Sequence, residues 1–269
     1  MKILITGKNG FIAKNLYEFY KNDNEIFLTT KEQSFIITEI LSKEKPEIIF
    51  HCAAEIYEND KMFESNIVLT YKILEYCKNS KNIKRLVILG SSSEYGRKDI
   101  PMSEKHILEP ETIYEGTKAA CTMLASSYSY TYKIPIFIIR PFTIYGKHEK
   151  NKKFIQILIN KKRINDKELF LSIGVHDYVY IDDFINAIDN ILDKNKSLFD
   201  IVNIGTGIQT SNKELVEIFE KVADYKFEDI KTFSSKIYDS QNWVCDTSKL
   251  NNFYKCNTTL EEGLLRTML

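Results

Sequence analysis

Short apolar runs alternate with longer amphipathic stretches along the first half of the chain, and no other feature limits its fold more. The apolar runs are residues 2–5, 25–29, 48–51, 86–89 and 136–139. They are rich in Ile, Leu, Val and Phe, as is typical of parallel strands buried on both faces. Apolar residues recur at helical spacing in the intervening stretches 11–20, 62–78 and 111–132. The alternation predicts right-handed crossovers and a doubly wound parallel sheet, a Rossmann fold of the α/β class.

Beyond Pro141, the last proline, the alternation loosens and Lys and Asn become denser. We therefore place a domain boundary near residue 145. Residues 1–145 are predicted to form the lobe that carries the sheet. Residues 146–269 are predicted to form a smaller C-terminal lobe, with one of its strands a candidate for joining the main sheet.

The composition excludes several classes of protein. Lys plus Arg and Asp plus Glu both number 37, so no excess of positive charge is present to bind a nucleic acid. No apolar run approaches the roughly 20 residues that span a bilayer, and we expect a cytoplasmic protein with no membrane partner. The five cysteines are scattered and lack CxxC spacing, which predicts reduced thiols and no metal site.

A glycine-containing turn directly follows the first apolar run and opens the first predicted helix. Its sequence is TGKNGFIA, from Thr6 to Ala13, with the spacing GxxGxxA. Such a turn lets backbone N–H groups approach a pyrophosphate at a helix N-terminus, where the helix dipole favours negative charge. The turn therefore predicts that the first lobe binds a dinucleotide. The residues predicted to contact it here are Gly7, Asn9, Gly10, Phe11 and Ile12.

The end of the second apolar run indicates which dinucleotide binds. An NAD site usually offers a carboxylate to the ribose 2′-hydroxyl roughly 20 residues after the glycines. Here the residues are Thr29, Thr30 and Lys31, whose hydroxyls and ammonium suit a 2′-phosphate better. Thr30 and Lys31 are therefore predicted to contact the cofactor, and NADP is favoured. Glu32, one residue further on, keeps NAD open as the alternative.

Tyr114 and Lys118 are four residues apart near the start of a predicted helix, so they share one face. A nearby ammonium stabilises the phenolate form of a tyrosine, which lets the phenol exchange a proton with a sugar hydroxyl or carbonyl. The segment GSSSEYG at 90–96 follows the apolar run 86–89, which places hydroxyls at the carboxyl end of a strand. The two motifs together indicate acid–base chemistry beside the predicted cofactor crevice.

Further motifs follow along the chain. After TGxxGFI come HCAA at 51–54, Asn66, GSSSEYG at 90–96, YxxxK at 114–118, RPFTIYG at 140–146 and YIDD at 180–183. In this order the chain resembles the extended short-chain dehydrogenase/reductases that act on nucleotide sugars, the NAD-dependent epimerase/dehydratase family. The resemblance covers most of the chain, and it implies an enzyme whose smaller lobe binds a nucleoside-diphosphate sugar.

The resemblance assigns roles by position. Ser91 matches the catalytic Ser/Thr of the family, Tyr114 its proton-transfer tyrosine, and Lys118 the lysine that binds the nicotinamide ribose. The phosphate loop is matched by Gly7, Gly10, Phe11 and Ile12, and positions lining the cofactor are matched by Ala53, Ala54 and Pro141. Tyr114 and Lys118 therefore count both as catalytic residues and as cofactor contacts.

Departures from the family pattern favour one reaction. Dehydratases of the family carry an Asp-Glu pair, or a Glu two places on, after the catalytic Thr, whereas this chain has Ser92 and Ser93, with Glu94 one residue too far. Dehydration is therefore not expected, and Ser93 is a poor base for epimerisation at C3 or C5. What remains is hydride transfer at C4, most simply reduction of a nucleoside-diphosphate 4-keto-6-deoxyhexose for polysaccharide biosynthesis. The alternatives are an NAD-dependent 4-epimerase and, from another class, a nucleotide-sensing regulator.

Four residues are predicted to contact the substrate: Ser92, Ser93, His148 and His176. His176 stands where many relatives carry an Arg that binds the diphosphate, and an imidazole is a weaker, pH-dependent substitute. Relatives often dimerise through the two long helices that correspond to 62–78 and 111–132. The resemblance therefore implies a homodimer, although core packing explains the apolar residues of these helices equally well.

Overall fold

The computed structural model describes residues 1–234 and 240–269. The described chain divides into two compact units. Unit 1 comprises Met1–Gly96, Glu104–Pro141 and Asn190–Val202, and unit 2 comprises Arg97–Ser103, Phe142–Asp189 and Asn203–Leu269. The units thus interleave along the sequence, and the division into 1–145 and 146–269 stays a prediction.

Unit 1 is built from strands and helices in alternation. In chain order these are β1 (Lys2–Thr6), α1 (Phe11–Tyr20), β2 (Glu25–Thr29), α2 (Ile37–Glu44), β3 (Ile48–His51), α3 (Asn59–Met62), α4 (Leu69–Asn79), β4 (Arg85–Leu89), α5 (Ile113–Tyr132) and β5 (Ile136–Pro141). Short 3₁₀ turns at Glu32–Ile36 and Ser92–Tyr95 connect some of them. A π-helical segment, Phe63–Val68, joins α3 to α4 into one continuous helical stretch.

The remaining elements follow β5. They are β6 (Thr143–Tyr145), α6 (Phe154–Arg163), β7 (Glu168–Ser172), β8 (Val175–Tyr180), α7 (Ile181–Lys194), β9 (Phe199–Ile204), β10 (Gln209–Ser211), α8 (Asn212–Ala223), β11 (Asp229–Phe233) and α9 (Leu260–Met268). In unit 2, β8 lies between β10 and β6, and β11 pairs with β7. None of the described helices is long and apolar enough to cross a membrane.

The main sheet has six strands in the order β2-β1-β3-β4-β5-β9. The pairs β1–β2, β1–β3, β3–β4 and β4–β5 are all parallel, and Thr6 at the end of β1 lies opposite both Thr29 and His51. The chain reverses its direction of travel across the sheet between β1 and β3. Ligands of open α/β sheets bind at such a point, beside the carboxyl ends of the strands. The predicted doubly wound fold is confirmed.

Alternate residues of the strands face opposite sides of the sheet, and both sides are apolar. On one side, α2, α4 and α5 bury Leu41, Ile73 and Ala125 against strand residues such as Ile49 and Ile138. On the other side, α1 packs its Tyr20 ring on Phe50 at 5.5 Å between centroids. This two-sided burial is the reason why the strands are continuous apolar runs in the sequence.

A buried ion pair ties three elements of unit 1 together. Glu94, whose side chain is fully buried, accepts hydrogen bonds from the Arg140 guanidinium at 2.7 and 3.0 Å and from the Thr122 hydroxyl at 2.8 Å. Its other oxygen accepts the backbone N–H of Ser91 at 2.8 Å. Arg140 also donates to the phenol oxygen of Tyr95 at 2.8 Å. The network joins the turn after β4 to α5 and β5. Its two charged groups, the Glu94 carboxylate and the Arg140 guanidinium, are paired with each other.

Replacing Arg140 with Met should lower the free energy of unfolding by about 3–5 kcal/mol, because the Glu94 carboxylate would remain buried without its partner. Urea denaturation measures this loss. The matched control is Lys213→Met, which breaks an exposed ion pair with Glu217 at 3.9 Å and should change stability little. Equal losses in the two variants would contradict the structural role given to the buried pair.

Candidate active site

The glycine turn fits a diphosphate. Gly7 has a φ of +80°, and a Cβ there would lie 3.0 Å from the Ala53 backbone, so only glycine suits this position. The backbone N–H groups of Gly7 and Lys8 donate to Thr29 O at 3.0 and 2.9 Å. Helix α1 begins after Gly10, which offers no side-chain cap, and its first turn holds no acidic residue. The N–H groups of that turn can therefore bind a phosphate.

The other residues predicted to contact the cofactor follow β1, β2 and β3 or, for Pro141, end β5. Asn9 and Ala54 are exposed, and Phe11, Ile12, Thr30, Ala53 and Pro141 are partly exposed. The hydroxyl of Thr6 accepts the N–H groups of Cys52 and Ala53 at 3.1 and 3.0 Å, which fixes the end of β3 against the end of β1. All of these residues belong to unit 1.

Lys31 has a partner that the sequence patterns did not indicate. Its Nζ lies 3.0 Å from Oε2 of Glu55, in the loop after β3. The sequence predicts no carboxylate at Thr29, Thr30 or Lys31 and leaves only Glu32, one residue further on, as the alternative. Glu55 directly follows the HCAA motif and was the available signal. Its contact with Lys31 could not be predicted, because it requires the loops after β1, β2 and β3 to come together.

Ser91 occupies the N-cap position of the 3₁₀ turn Ser92–Tyr95. Its hydroxyl oxygen lies 2.7 Å from that of Ser93 and accepts the Ser93 N–H at 3.2 Å. Ser92 is buried and Ser93 is partly exposed. Glu94 is fully buried in the pair with Arg140. The turn therefore presents hydroxyls at the end of β4, and its carboxylate is turned into the protein.

Tyr114 lies in the first turn of α5, which Thr112 and Glu115 close with a reciprocal capping box. Lys118, one turn later, is buried and donates from Nζ to Leu89 O at 2.7 Å. That bond attaches α5 to the last residue of β4, two positions before Ser91. The Lys118 ammonium lies 5.9 Å from the centre of the Tyr114 ring. The structure thus keeps the tyrosine and the lysine on one helix face, as the spacing predicts.

Asn66, in the π-helical segment, fastens the loop after β3 to α5. Its side chain accepts the Glu55 N–H at 2.7 Å and donates to Glu55 O at 3.0 Å and to the Thr117 hydroxyl at 2.9 Å. π-Helical turns often occur at functional sites. Nearby, burial and the charge of Lys118 lower the pKa of His51 to about 3, so its ring is neutral and bridges Thr6 and Thr70.

The two histidines predicted to contact substrate belong to unit 2. His148 is exposed and has a φ of +71°. His176 is partly buried, with Nδ1 3.4 Å from the Thr143 hydroxyl and its ring edge-on to Tyr178. Burial, and to a lesser degree the charge of Lys153, lowers the pKa of His176 to about 4. Near neutral pH its imidazole is uncharged, and it could give a phosphate only a hydrogen bond.

A second buried group lies in the same part of unit 2. Oε2 of Glu149 is buried and has no hydrogen-bond partner among the described residues. Burial raises the pKa of Glu149 to about 7, although Lys153 and the Gln156 side chain oppose the shift. The same carboxylate contributes to the raised pKa of Tyr178, for which burial is the larger cause. The sequence patterns did not indicate Glu149.

With this geometry established, the family can be assigned. The NAD dependent epimerase/dehydratase family model matches residues 3–205, and the chain belongs to that family. It is therefore an extended short-chain dehydrogenase/reductase, a family of nucleotide-sugar enzymes, as its motifs predicted.

Individual relatives are named for different reactions. The chain is 26% identical to dTDP-D-glucose 4,6-dehydratase of Dictyostelium discoideum, over 100% of this chain and 81% of the relative. It is 28% identical to an uncharacterized UDP-glucose epimerase of Bacillus subtilis, over 98% and 96%. A crystal structure of dTDP-glucose 4,6-dehydratase from Bacillus anthracis in complex with NAD superposes with a TM-score of 0.89 at 23% identity, covering 100% of this chain and 95% of that one. Similarity of this kind does not distinguish the reactions.

Replacing Glu149 with Gln should stabilise the protein at alkaline pH. Because the pKa of Glu149 is raised from 4.5 to about 7, the folded state holds more protons than the unfolded state between these values, and stability falls as the pH rises through them. Glu149→Gln should therefore match the unsubstituted protein at pH 4 and exceed it by about 1–3 kcal/mol at pH 8. Urea denaturation at both pH values tests this, with the exposed Glu217→Gln as control. An equal effect at both pH values would contradict it.

Proposed function

We propose that this chain reduces the 4-keto group of a nucleoside-diphosphate 4-keto-6-deoxyhexose, with a nicotinamide dinucleotide as cofactor. The observation that carries the proposal is the serine turn after β4. It presents the hydroxyls of Ser91 and Ser93, whereas Glu94 is bound to Arg140 and fully buried. Reduction needs only hydride delivery and one proton, and a turn without an available carboxylate suffices for that.

The chain's own residues have separable tasks in this reaction. The glycine turn and the first turn of α1 would hold the reduced dinucleotide, which would supply hydride chemistry for the carbonyl carbon. Tyr114 donates a proton from its phenol oxygen to the developing alkoxide, and the Ser91 hydroxyl donates a hydrogen bond to the same oxygen. Lys118 donates one N–H to Leu89 O, so two of its N–H groups remain to bind the ribose. Its positive charge stabilises the phenolate that Tyr114 becomes.

NADP(H) is the cofactor that we propose, with NAD(H) as the alternative. In support, Thr30 and Lys31 directly follow β2 and carry a hydroxyl and an ammonium, although Thr30 hydrogen-bonds to the Glu32 carboxylate and Lys31 pairs with Glu55. A 2′-phosphate is well matched to an ammonium and a hydroxyl. The solved relative from Bacillus anthracis binds NAD, which keeps the alternative open. Direct titration with NADPH and NADH separates the two.

A 4-epimerase is the second candidate, and the Bacillus subtilis relative named as an epimerase favours it. An epimerase oxidises, rotates and re-reduces the same carbon, so it should purify with a bound dinucleotide and need none added. A reductase should instead consume added reduced cofactor in proportion to product. Incubation with a panel of nucleoside-diphosphate 4-keto sugars, followed at 340 nm, distinguishes the two reactions.

Substrate contacts and assembly follow from the same proposal. We propose that Ser92, Ser93, His148 and His176 contact the nucleotide sugar, with His176 as an uncharged donor to the diphosphate. We also propose a homodimer through the continuous helical stretch ending in α4 and through α5. In support, Phe63, Met123 and Tyr130 lie on these elements with more than half of their surface exposed.

Tyr114→Phe should lower turnover by at least about 10²-fold, because general acid–base catalysis typically supplies 10² to 10⁴. The dissociation constant of the dinucleotide should change little, since the ring remains. Tyr130→Phe, an exposed tyrosine on the same helix, is the matched control and should retain full turnover. Unchanged turnover in Tyr114→Phe would remove the phenol from the mechanism.

The protein should fail as a 4,6-dehydratase. Removing water across C5 and C6 needs a positioned acid and base, which Ser92 and Ser93 do not provide. Mass spectrometry after incubation with unmodified nucleoside-diphosphate hexoses should show no loss of one water. Efficient formation of the dehydrated product would contradict the assignment and would require a carboxylate other than Glu94 in the site.

A further inference from the structure

A carboxylate and an ammonium meet beside the glycine turn. β1 lies between β2 and β3, and Thr6 at its end is opposite the last residues of both neighbours. Lys31 lies in the loop after β2, and Glu55 lies in the loop after β3. Their side chains approach to 3.0 Å. The ion pair therefore joins the two loops on either side of the turn that we assign to the diphosphate.

Glu55 is the fixed member of this pair. Its Oε1 accepts the backbone N–H groups of Ile56 and Tyr57 at 3.0 and 3.1 Å, and its main chain is bound on both sides by Asn66. Burial raises the pKa of Glu55, but the hydrogen bonds from Lys31 and from the backbone outweigh it and lower the pKa to about 2. Its side chain is 12% exposed, against 59% for Lys31. A carboxylate held by backbone N–H groups thus binds a more exposed ammonium.

The location of the pair decides what it can act on. In a doubly wound fold the adenosine ribose lies at the end of the second strand, where its 2′ position meets the first residues of the following loop. Lys31 is one of these residues. A 2′-phosphate there carries nearly two negative charges, which attract Lys31 and are repelled by Glu55. A 2′-hydroxyl carries no charge, so neither effect applies to it.

We propose that Glu55 is a specificity-determining residue that lowers the affinity for dinucleotides carrying a 2′-phosphate, because it occupies the Lys31 ammonium and repels the phosphate. The inference rests on the proposed function only in requiring a dinucleotide at the glycine turn. In this view, the preference between NADP and NAD depends on whether the Lys31 ammonium binds Glu55 or the 2′-phosphate.

A double-mutant cycle tests the competition. Glu55→Gln keeps an oxygen for the backbone N–H groups of Ile56 and Tyr57 and removes only the charge. Fluorescence titration of the whole protein with NADPH and with NADH should show that Glu55→Gln raises the affinity for NADPH relative to NADH by about fivefold. Lys31→Ala should weaken NADPH binding by about threefold in the original background and by clearly more when Glu55 is already Gln.

The control is Glu58→Gln, which removes a charge from the same loop but from a carboxylate paired with Lys61. It should leave the NADPH-to-NADH ratio unchanged. A ratio that Glu55→Gln does not move, or that Glu58→Gln moves equally, would overturn the inference while leaving the proposed function intact. An effect of Lys31→Ala that is the same in both backgrounds would also overturn it. Failure of both dinucleotides to bind would instead refute the proposed function, and this inference with it.

Discussion

The buried carboxylate of Glu94 is the interaction on which the proposed catalytic arrangement depends. One of its oxygens holds the backbone of Ser91, and the other holds α5 through Thr122 and β5 through Arg140. Because α5 also carries Tyr114 and Lys118, the Glu94 carboxylate fixes the serine turn and α5 in position relative to each other. A buried charge is tolerated here because each of its oxygens has partners. The same arrangement turns the Glu94 carboxylate away from the hydroxyls of Ser91 and Ser93 and into the protein.

The sequence was sufficient to predict those features that depend on local periodicity. The strands of the main sheet were predictable because both of its faces are apolar, and the pairing of Tyr114 with Lys118 was predictable because one helical turn separates them. The glycine turn was predictable because it joins a strand to a helix. Helix α2 was not predicted, although Ile37, Ile40 and Leu41 have helical spacing, because its eight residues, Ile37–Glu44, form only about two turns. These successes concern neighbours along the chain.

Features that depend on distant segments were not predictable. The pairing of Lys31 with Glu55 arises only when β2, β1 and β3 align at one edge, and 24 positions separate the two residues. Similarly, folding buries the Glu149 carboxylate close to Tyr178, which lies 29 positions away in the sequence, and no local pattern reveals this. The interleaving of the two units was not predictable for the same reason, because each unit combines segments that are distant in sequence. Helix α7, for example, begins in unit 2 and ends in unit 1. The motifs of the candidate site can be recognised in the sequence, but the charged groups that surround them depend on the fold.

The position of β2 has a consequence for how the molecule behaves among other molecules. Among the described residues β2 is an edge strand of the main sheet, and its outer backbone groups therefore have no neighbouring strand. Exposed strand edges are templates on which foreign strands can add and aggregates can grow. This edge is only five residues long, Glu25–Thr29, and charges flank it at Glu25 and Lys31. Shortness and charge oppose the addition of further strands, so this sheet can remain open on that side without becoming a seed for aggregation.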